Sequence, residues 1–206
     1  MILIRYTLWL LAGSLTVPAM AEVPSAYQPC IACHGESGQG NPQLQAPALA
    51  GQGEDYLKRQ LQLFQRGLRG ADPEDTLGKQ MVGMVVNLSE ADFEEIAAFL
   101  SALSPVPVAP GVGNLMNGNN FYHAKCGACH GGRAQGNPAL NAPALAWLDE
   151  AYLRRQFDNF QQGLRGTHPE DTYGRQMRMM STILPTEQDL ADVIVYIHTQ
   201  GGAEQP

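Results

Sequence analysis

Cys30, Cys33 and His34 form a Cys-x-x-Cys-His pentapeptide, and Cys126, Cys129 and His130 form a second one 96 residues later. Together they hold all four cysteines of the 206-residue chain. In an exported chain, two thiols at this spacing followed at once by an imidazole are the attachment signal for c-type haem. Each thiol can add to one vinyl group of a porphyrin, and the adjoining histidine can turn beneath the ring to ligate the iron. Other uses of the pattern fit poorly. A thioredoxin-like redox pair needs a strand-to-helix setting, whereas both pentapeptides run into glycine-rich stretches. A zinc site needs four ligands, and neither copy supplies a second Cys/His pair at finger spacing. A disulfide within each Cys-x-x-Cys would leave the adjacent histidines without a purpose. Two covalently bound haem c groups are therefore expected.

Iron in an electron carrier also needs a sixth ligand. Met81 follows His34 by 47 residues and Met177 follows His130 by 47, with Met84 and Met180 three positions further on. Methionine is ordinarily a core filler. Pairs at one fixed distance from both histidines, each just before a final helix, exceed what composition explains. One member of each pair is expected on iron, and spacing alone does not choose between them. A methionine ligand raises the reduction potential relative to a second imidazole. It also closes the iron to oxygen, peroxide or nitrite, which describes a carrier with no catalytic residues.

The elements that position these groups come in duplicate. Residues 30–81 align on residues 126–177 without a gap, with 33 of 52 positions identical. Similarity at that level means two copies of one structural unit. A connector with alternate prolines, Pro105, Pro107 and Pro110, separates them and favours an extended course. Within each copy the stretch from Glu54 or Glu150 carries helical periodicity: Leu57, Leu61, Phe64 and Leu68, matched by Leu153, Phe157, Phe160 and Leu164. Ser89 with Asp92 predicts the N-cap of a last helix whose buried stripe is Phe93, Ile96, Ala97, Leu100 and Leu103. Thr186 begins its counterpart, with Leu190, Val193, Ile194 and Ile197. The remaining stretches, about twenty residues after each pentapeptide and about ten between Gly70 and Met81, are expected as irregular loops that wrap a cofactor. The fold class is all-α, as two tandem domains.

The first 21 residues have one charge, Arg5, then an apolar run and an Ala19-Met20-Ala21 site, the layout of a secretory signal peptide. The expected division is 1–21 signal peptide, 22–104 first domain, 105–112 linker and 113–206 second domain. Export implies the periplasm, with no transmembrane anchor after cleavage and peripheral membrane association still compatible. A net charge of −7 repels nucleic acid and anionic lipid and suits redox partners with a basic docking surface.

With Cys30-Ile-Ala-Cys33-His34-Gly, Pro47-Ala-Leu-Ala-Gly51-Gln-Gly-Glu, Tyr56-Leu57 and Met81-Val-Gly-Met84, and their second set at Cys126, Pro143, Tyr152 and Met177, the chain resembles the diheme cytochrome c4 family. The resemblance covers essentially the whole mature chain and implies two class I cytochrome c domains, each wrapped around a covalently bound haem. It implies a periplasmic carrier of single electrons from a quinol-oxidising complex or dehydrogenase toward a terminal oxidase or reductase. It selects Met81 and Met177 as iron ligands, and gives Pro47 and Pro143 the task of holding the ligating histidines by their carbonyls. An alternative is the cytochrome subunit of a periplasmic dehydrogenase complex, oxidising sulfur compounds or alcohols.

Three departures carry their own expectations. Domain one has only a short segment before Cys30, so its first helix should be short or missing and its haem edge or last helix more exposed. Gly51-Gln52-Gly53 becomes Trp147-Leu148-Asp149, read as core or interface packing. Asp72 becomes His168, read as a solvated loop residue. Arg69 and Arg165 could pair haem propionates or sit solvated on the surface.

Overall fold

A computed structural model describes residues 22–201; the leader expected over 1–21 lies outside the described residues. Among the described residues there is no strand, only isolated bridges between Asn41 and Ala46 and between Asn137 and Ala142. The first domain comprises α1 (Ile31–His34), α2 (Glu54–Gln65), α3 (Thr76–Val85) and α4 (Glu90–Ala102). The second comprises α5 (Leu115–Phe121), α6 (Gly127–His130), α7 (Glu150–Gln162), α8 (Thr172–Ser181) and α9 (Glu187–Gln200). Residues 104–111 between them have no regular structure.

The last helices start where their caps predict. Ser89 and Asp92 form a reciprocal capping box at α4, and the Thr186 side chain accepts from the Asp189 N–H at α9. Their stripes close each core: Ile96, Ala97 and Leu100 pack on Tyr27 and Leu57, and Leu190, Val193, Ile194 and Ile197 pack on Tyr122 and Trp147. The first helix differs between the copies as expected. Domain one has a 3-10 stretch, Ser25–Cys30, where domain two has α5 crossing α9. A side chain at Gly118 would collide with the Asp192 carbonyl, so glycine permits that close crossing. Without such a cover, α4 buries five residues where α9 buries eight.

One residue more separates Tyr122 from Cys126 than Tyr27 from Cys30. The extra residue is absorbed in a π-helical turn, Tyr122–Cys126, which leaves both rings in equivalent places. The Tyr27 hydroxyl donates to the Gly35 carbonyl at 2.8 Å and the Tyr122 hydroxyl to the Gly131 carbonyl at 2.6 Å.

The stretch between Gly70 and Met81 corrects the expectation of an irregular loop. Asp75 accepts from the Gly78 N–H and starts α3; Asp171 accepts from the Gly174 N–H and starts α8. The methionines therefore stand on helices. The sequence signal was the aspartate cap, obscured because Gly78 and Gly83 dilute the helical pattern that follows it.

Candidate functional site

Each Cys-x-x-Cys-His forms one helical turn, α1 or α6, ended by Gly35 or Gly131 at φ 79° or 83°. That positive φ is open to glycine and turns the chain away directly after the histidine. His34 Nδ1 lies 2.9 Å from the Pro47 carbonyl oxygen, and His130 Nδ1 lies 2.9 Å from that of Pro143. A carbonyl only accepts, so Nδ1 carries the proton and Nε2 keeps a free lone pair suited to a metal. Burial holds both imidazoles below the usual histidine range, which favours this neutral form.

All four cysteines are unpaired, with Cys33 and Cys129 exposed and Cys30 and Cys126 partly buried. Burial raises the Cys30 thiol and pushes the Cys126 thiol up to about 11. A thiolate nucleophile needs the opposite shift, so a dithiol redox pair is disfavoured.

Each motif lines a cavity. The first, of about 430 Å³, includes Cys30, Cys33, His34, Pro47, Met81 and Met84. The second, of about 350 Å³, includes Cys126, Cys129, His130, Pro143, Met177 and Met180. Leu57, Leu61 and Phe64 of α2 face the first, and Leu153, Phe157 and Phe160 of α7 face the second. Leu61, Leu153 and Phe157 are only partly buried because part of their stripe borders the cavity instead of protein. Within each methionine pair the members differ. Met81 and Met177 are half-buried, while Met84 is 48% and Met180 38% exposed.

The two cavities meet at the domain boundary and share their walls. Tyr56, Arg59 and Gln60 of domain one help to line the second cavity; Tyr152, Arg155 and Gln156 of domain two help to line the first. The boundary has an approximate twofold relation. Arg59 donates to the Asn141 carbonyl at 2.8 Å, and Arg155 donates to the carbonyl of the equivalent Gln45 at 2.8 Å. Arg66 and Glu170 add an exposed ion pair.

Arg69 and Arg165 stand at the centre of this boundary, each 7% exposed, so the solvated alternative is corrected. They stack on Phe64 and Phe160, 4.4 and 4.5 Å from the ring centroids. Their acceptors are neutral: Gln60, Gln156 and the Tyr152 hydroxyl. Burial and then Arg69 push the Arg165 guanidinium down. Burial raises the Tyr152 hydroxyl, but Arg69 and Arg165 outweigh it and hold it below the usual phenol range. Neither buried cation forms an ion pair with a carboxylate among the described residues, and only Asp75 acts on Arg69 from further off, so an anion is called for to compensate them. The donor set thus fits a large, flat, apolar ring that carries thiol-reactive groups at one edge, a metal at its centre and acidic groups at another edge. The residues present fit haem.

The sequence signature of the cytochrome c family matches residues 21–104 and 115–201. Cytochrome c4 of Stutzerimonas stutzeri is 35% identical over 154 residues, 69% of this chain and 72% of that one. The chain belongs to the diheme cytochrome c4 family. The thiosulfate dehydrogenase electron acceptor of Thiomonas intermedia is 32% identical over 72% of this chain and 70% of its own. Among solved structures, reduced recombinant cytochrome c4 from Pseudomonas stutzeri superposes with a TM-score of 0.69 at 28% identity, covering 84% of this chain and 93% of that one.

As a member of this family the chain carries two covalently bound haem c groups and transfers electrons. Its departures find their places. Trp147 packs in the second core, and Leu148 borders both cavities. His168 lines neither cavity; its Nδ1 accepts from the Glu170 N–H within an exposed turn. Sequence reasoning missed Gln52, which is buried at the boundary and reaches Ala144, because its partner lies 92 residues away.

Proposed function

We propose that this chain is a periplasmic carrier that takes up and releases single electrons at two irons with unchanging ligation. Cys30 and Cys33, and Cys126 and Cys129, hold the haems as thioethers. His34 with Met81, and His130 with Met177, would hold the two irons. Bound haem supplies the ferric–ferrous couple. The observation that carries this reading is the bond from each histidine Nδ1 to Pro47 or Pro143, paired in each cavity with a half-buried methionine. The proline carbonyls keep Nε2 aimed and basic, the methionines fill the sixth position, and the covalent tether keeps the group bound in either oxidation state. With no open coordination position, the chain is a carrier and not an enzyme.

Residues 1–21 are removed on export, and 22–104 and 113–206 form the domains around the linker 105–112. Donor and acceptor are redox proteins: a quinol-oxidising complex or dehydrogenase on one side, a terminal oxidase or reductase on the other. Leu44 and Met84, 51% and 48% exposed, and Leu140 and Met180, 48% and 38% exposed, give each cavity an apolar rim for close approach. The net charge of −7 favours partners with a basic docking face. Similarity to the thiosulfate dehydrogenase electron acceptor of Thiomonas intermedia supports a second reading, in which the chain serves a periplasmic dehydrogenase as its cytochrome subunit.

The test is expression with a c-type haem maturation system, followed by a pyridine haemochrome assay and visible spectra. Two haems per chain, each with the methionine-to-ferric-iron charge-transfer band, are expected. Met81→Ala and Met177→Ala should each remove the band from one haem, whereas Met84→Ala and Met180→Ala should keep both. One haem per chain, or bis-histidine or high-spin iron, would refute the assignment.

A further inference from the structure

Gln52 breaks the twofold relation of the two domains. It is 3% exposed, and its amide grips a single residue of the other domain: Nε2 donates to the Ala144 carbonyl at 2.7 Å, and Oε1 accepts from the Ala144 N–H at 3.1 Å. That N–H belongs to the same peptide group as the Pro143 carbonyl, which accepts from His130 Nδ1 at 2.9 Å. A hydrogen-bond chain therefore runs from Gln52 of domain one through one peptide unit to the imidazole of domain two. The equivalent of Gln52 is Leu148, which has no donor or acceptor to offer Ala48, so His34 and Pro47 have no such chain.

We infer that Gln52 is a positioning residue which, from domain one, sets the donor strength of His130 and lowers the potential of the domain-two haem alone. An N–H that donates to the Gln52 amide polarises its peptide and makes the opposite carbonyl a better acceptor. A stronger acceptor draws the Nδ1 proton and makes the imidazole more electron-rich. An electron-rich ligand favours the ferric state. The second bond, from Nε2, fixes the orientation of residue 144 so that the Pro143 carbonyl stays aimed at the ring. The inference rests on His130 being an iron ligand, as proposed above.

The experiment compares the haem-loaded wild-type chain with Gln52→Met, which keeps bulk and loses both bonds. Haem-resolved redox titration and the Nδ1 proton resonances of His34 and His130 in the reduced protein are the readouts. In Gln52→Met the domain-two midpoint should rise and the His130 proton should move upfield, with the domain-one midpoint and the His34 proton unmoved. Arg66→Gln serves as the second variant, because it removes the exposed cross-domain pair with Glu170 at a residue that lines neither cavity and does not touch Ala144. A domain-two midpoint that stays in place in Gln52→Met, or that moves as far in Arg66→Gln, overturns the inference. A wild-type spectrum without histidine ligation in domain two would overturn it together with the ligand assignment, whereas a normal spectrum with an unmoved midpoint strikes Gln52 alone.

Discussion

Arg69 and Arg165 share an acceptor across the domain boundary: the Gln60 amide oxygen lies 2.8 Å from the first guanidinium and 2.9 Å from the second. Two cations held so close by a neutral group call for an anion nearby to offset them. Replacing either by glutamine removes a buried positive charge and so favours the more positive ferric state. Both midpoints should fall in Arg69→Gln and in Arg165→Gln, each most for the haem of its own domain. Redox titration that leaves both midpoints in place would mean these cations are not felt at the irons.

The tyrosine hydroxyls above the motifs are separable from the cofactor chemistry. Tyr27→Phe and Tyr122→Phe each remove one of two bonds to the glycine carbonyl just after a motif histidine, which keeps its bond from the Gly38 or Ala134 N–H. Losing such a bond costs about 0.5–1.5 kcal/mol. Denaturant unfolding should show that loss in both variants, including at Tyr122, where the π-turn has kept the bond despite the added residue.

Gly38 tests how tightly the first loop is packed. Its φ is 65°, and a Cβ there would stand 2.7 Å from Leu100 Cδ2. Gly38→Ala should destabilise domain one by about 1–3 kcal/mol, through strain and overpacking together. The equivalent in domain two is already Ala134, fully buried at φ 56°, where Ile197 stands in the place of Leu100. Thermal unfolding of Gly38→Ala beside Ala134→Gly should give a clearly larger loss for the first.

Asp75 and Asp171 cap the helices that carry the methionines. Alanine at either position should cost about 1 kcal/mol. It should also loosen the ligand helix, visible as weakening of the charge-transfer band in the affected domain before global unfolding. A band that persists up to the unfolding midpoint would place the ligand outside the influence of the cap.

Acid should fray the last helices first. Bonds from the Ser89 backbone and side chain hold Asp92 below the usual carboxylate range, and the Asn117 and Thr186 side chains do so for Asp189. A lowered folded value means stability is present above the unfolded value of about 4 and is lost as pH falls through the folded one. Amide exchange at the starts of α4 and α9 should therefore accelerate below about pH 4, and Asp92→Asn should flatten that response in α4.

Much of this could be read from local spacing. The pentapeptides carry the chemistry within five residues, and Ser89 and Thr186 announce their helices within one turn. Positions whose partner lies in the other copy could not be read that way. Gln52 looks like any loop glutamine until Ala144 is brought against it, and Arg69 looks like a surface arginine until Gln156 covers it. The helical setting of Met81 was hidden for a different reason, because glycine at positions 78 and 83 lowers the local propensity that tertiary contacts restore.

The reciprocal lining of the cavities bears on how such a chain can diverge after duplication. Neither half is a spare copy. Tyr56, Arg59 and Gln60 form part of the wall of their neighbour's chamber, and Tyr152, Arg155 and Gln156 return the service. A chain cut within residues 105–112 would yield two vessels that each lack a side. Mutations in one repeat are therefore filtered by the fitness of the other, so inheritance of the pair is joint even where single positions, such as 52 and 148, have gone separate ways.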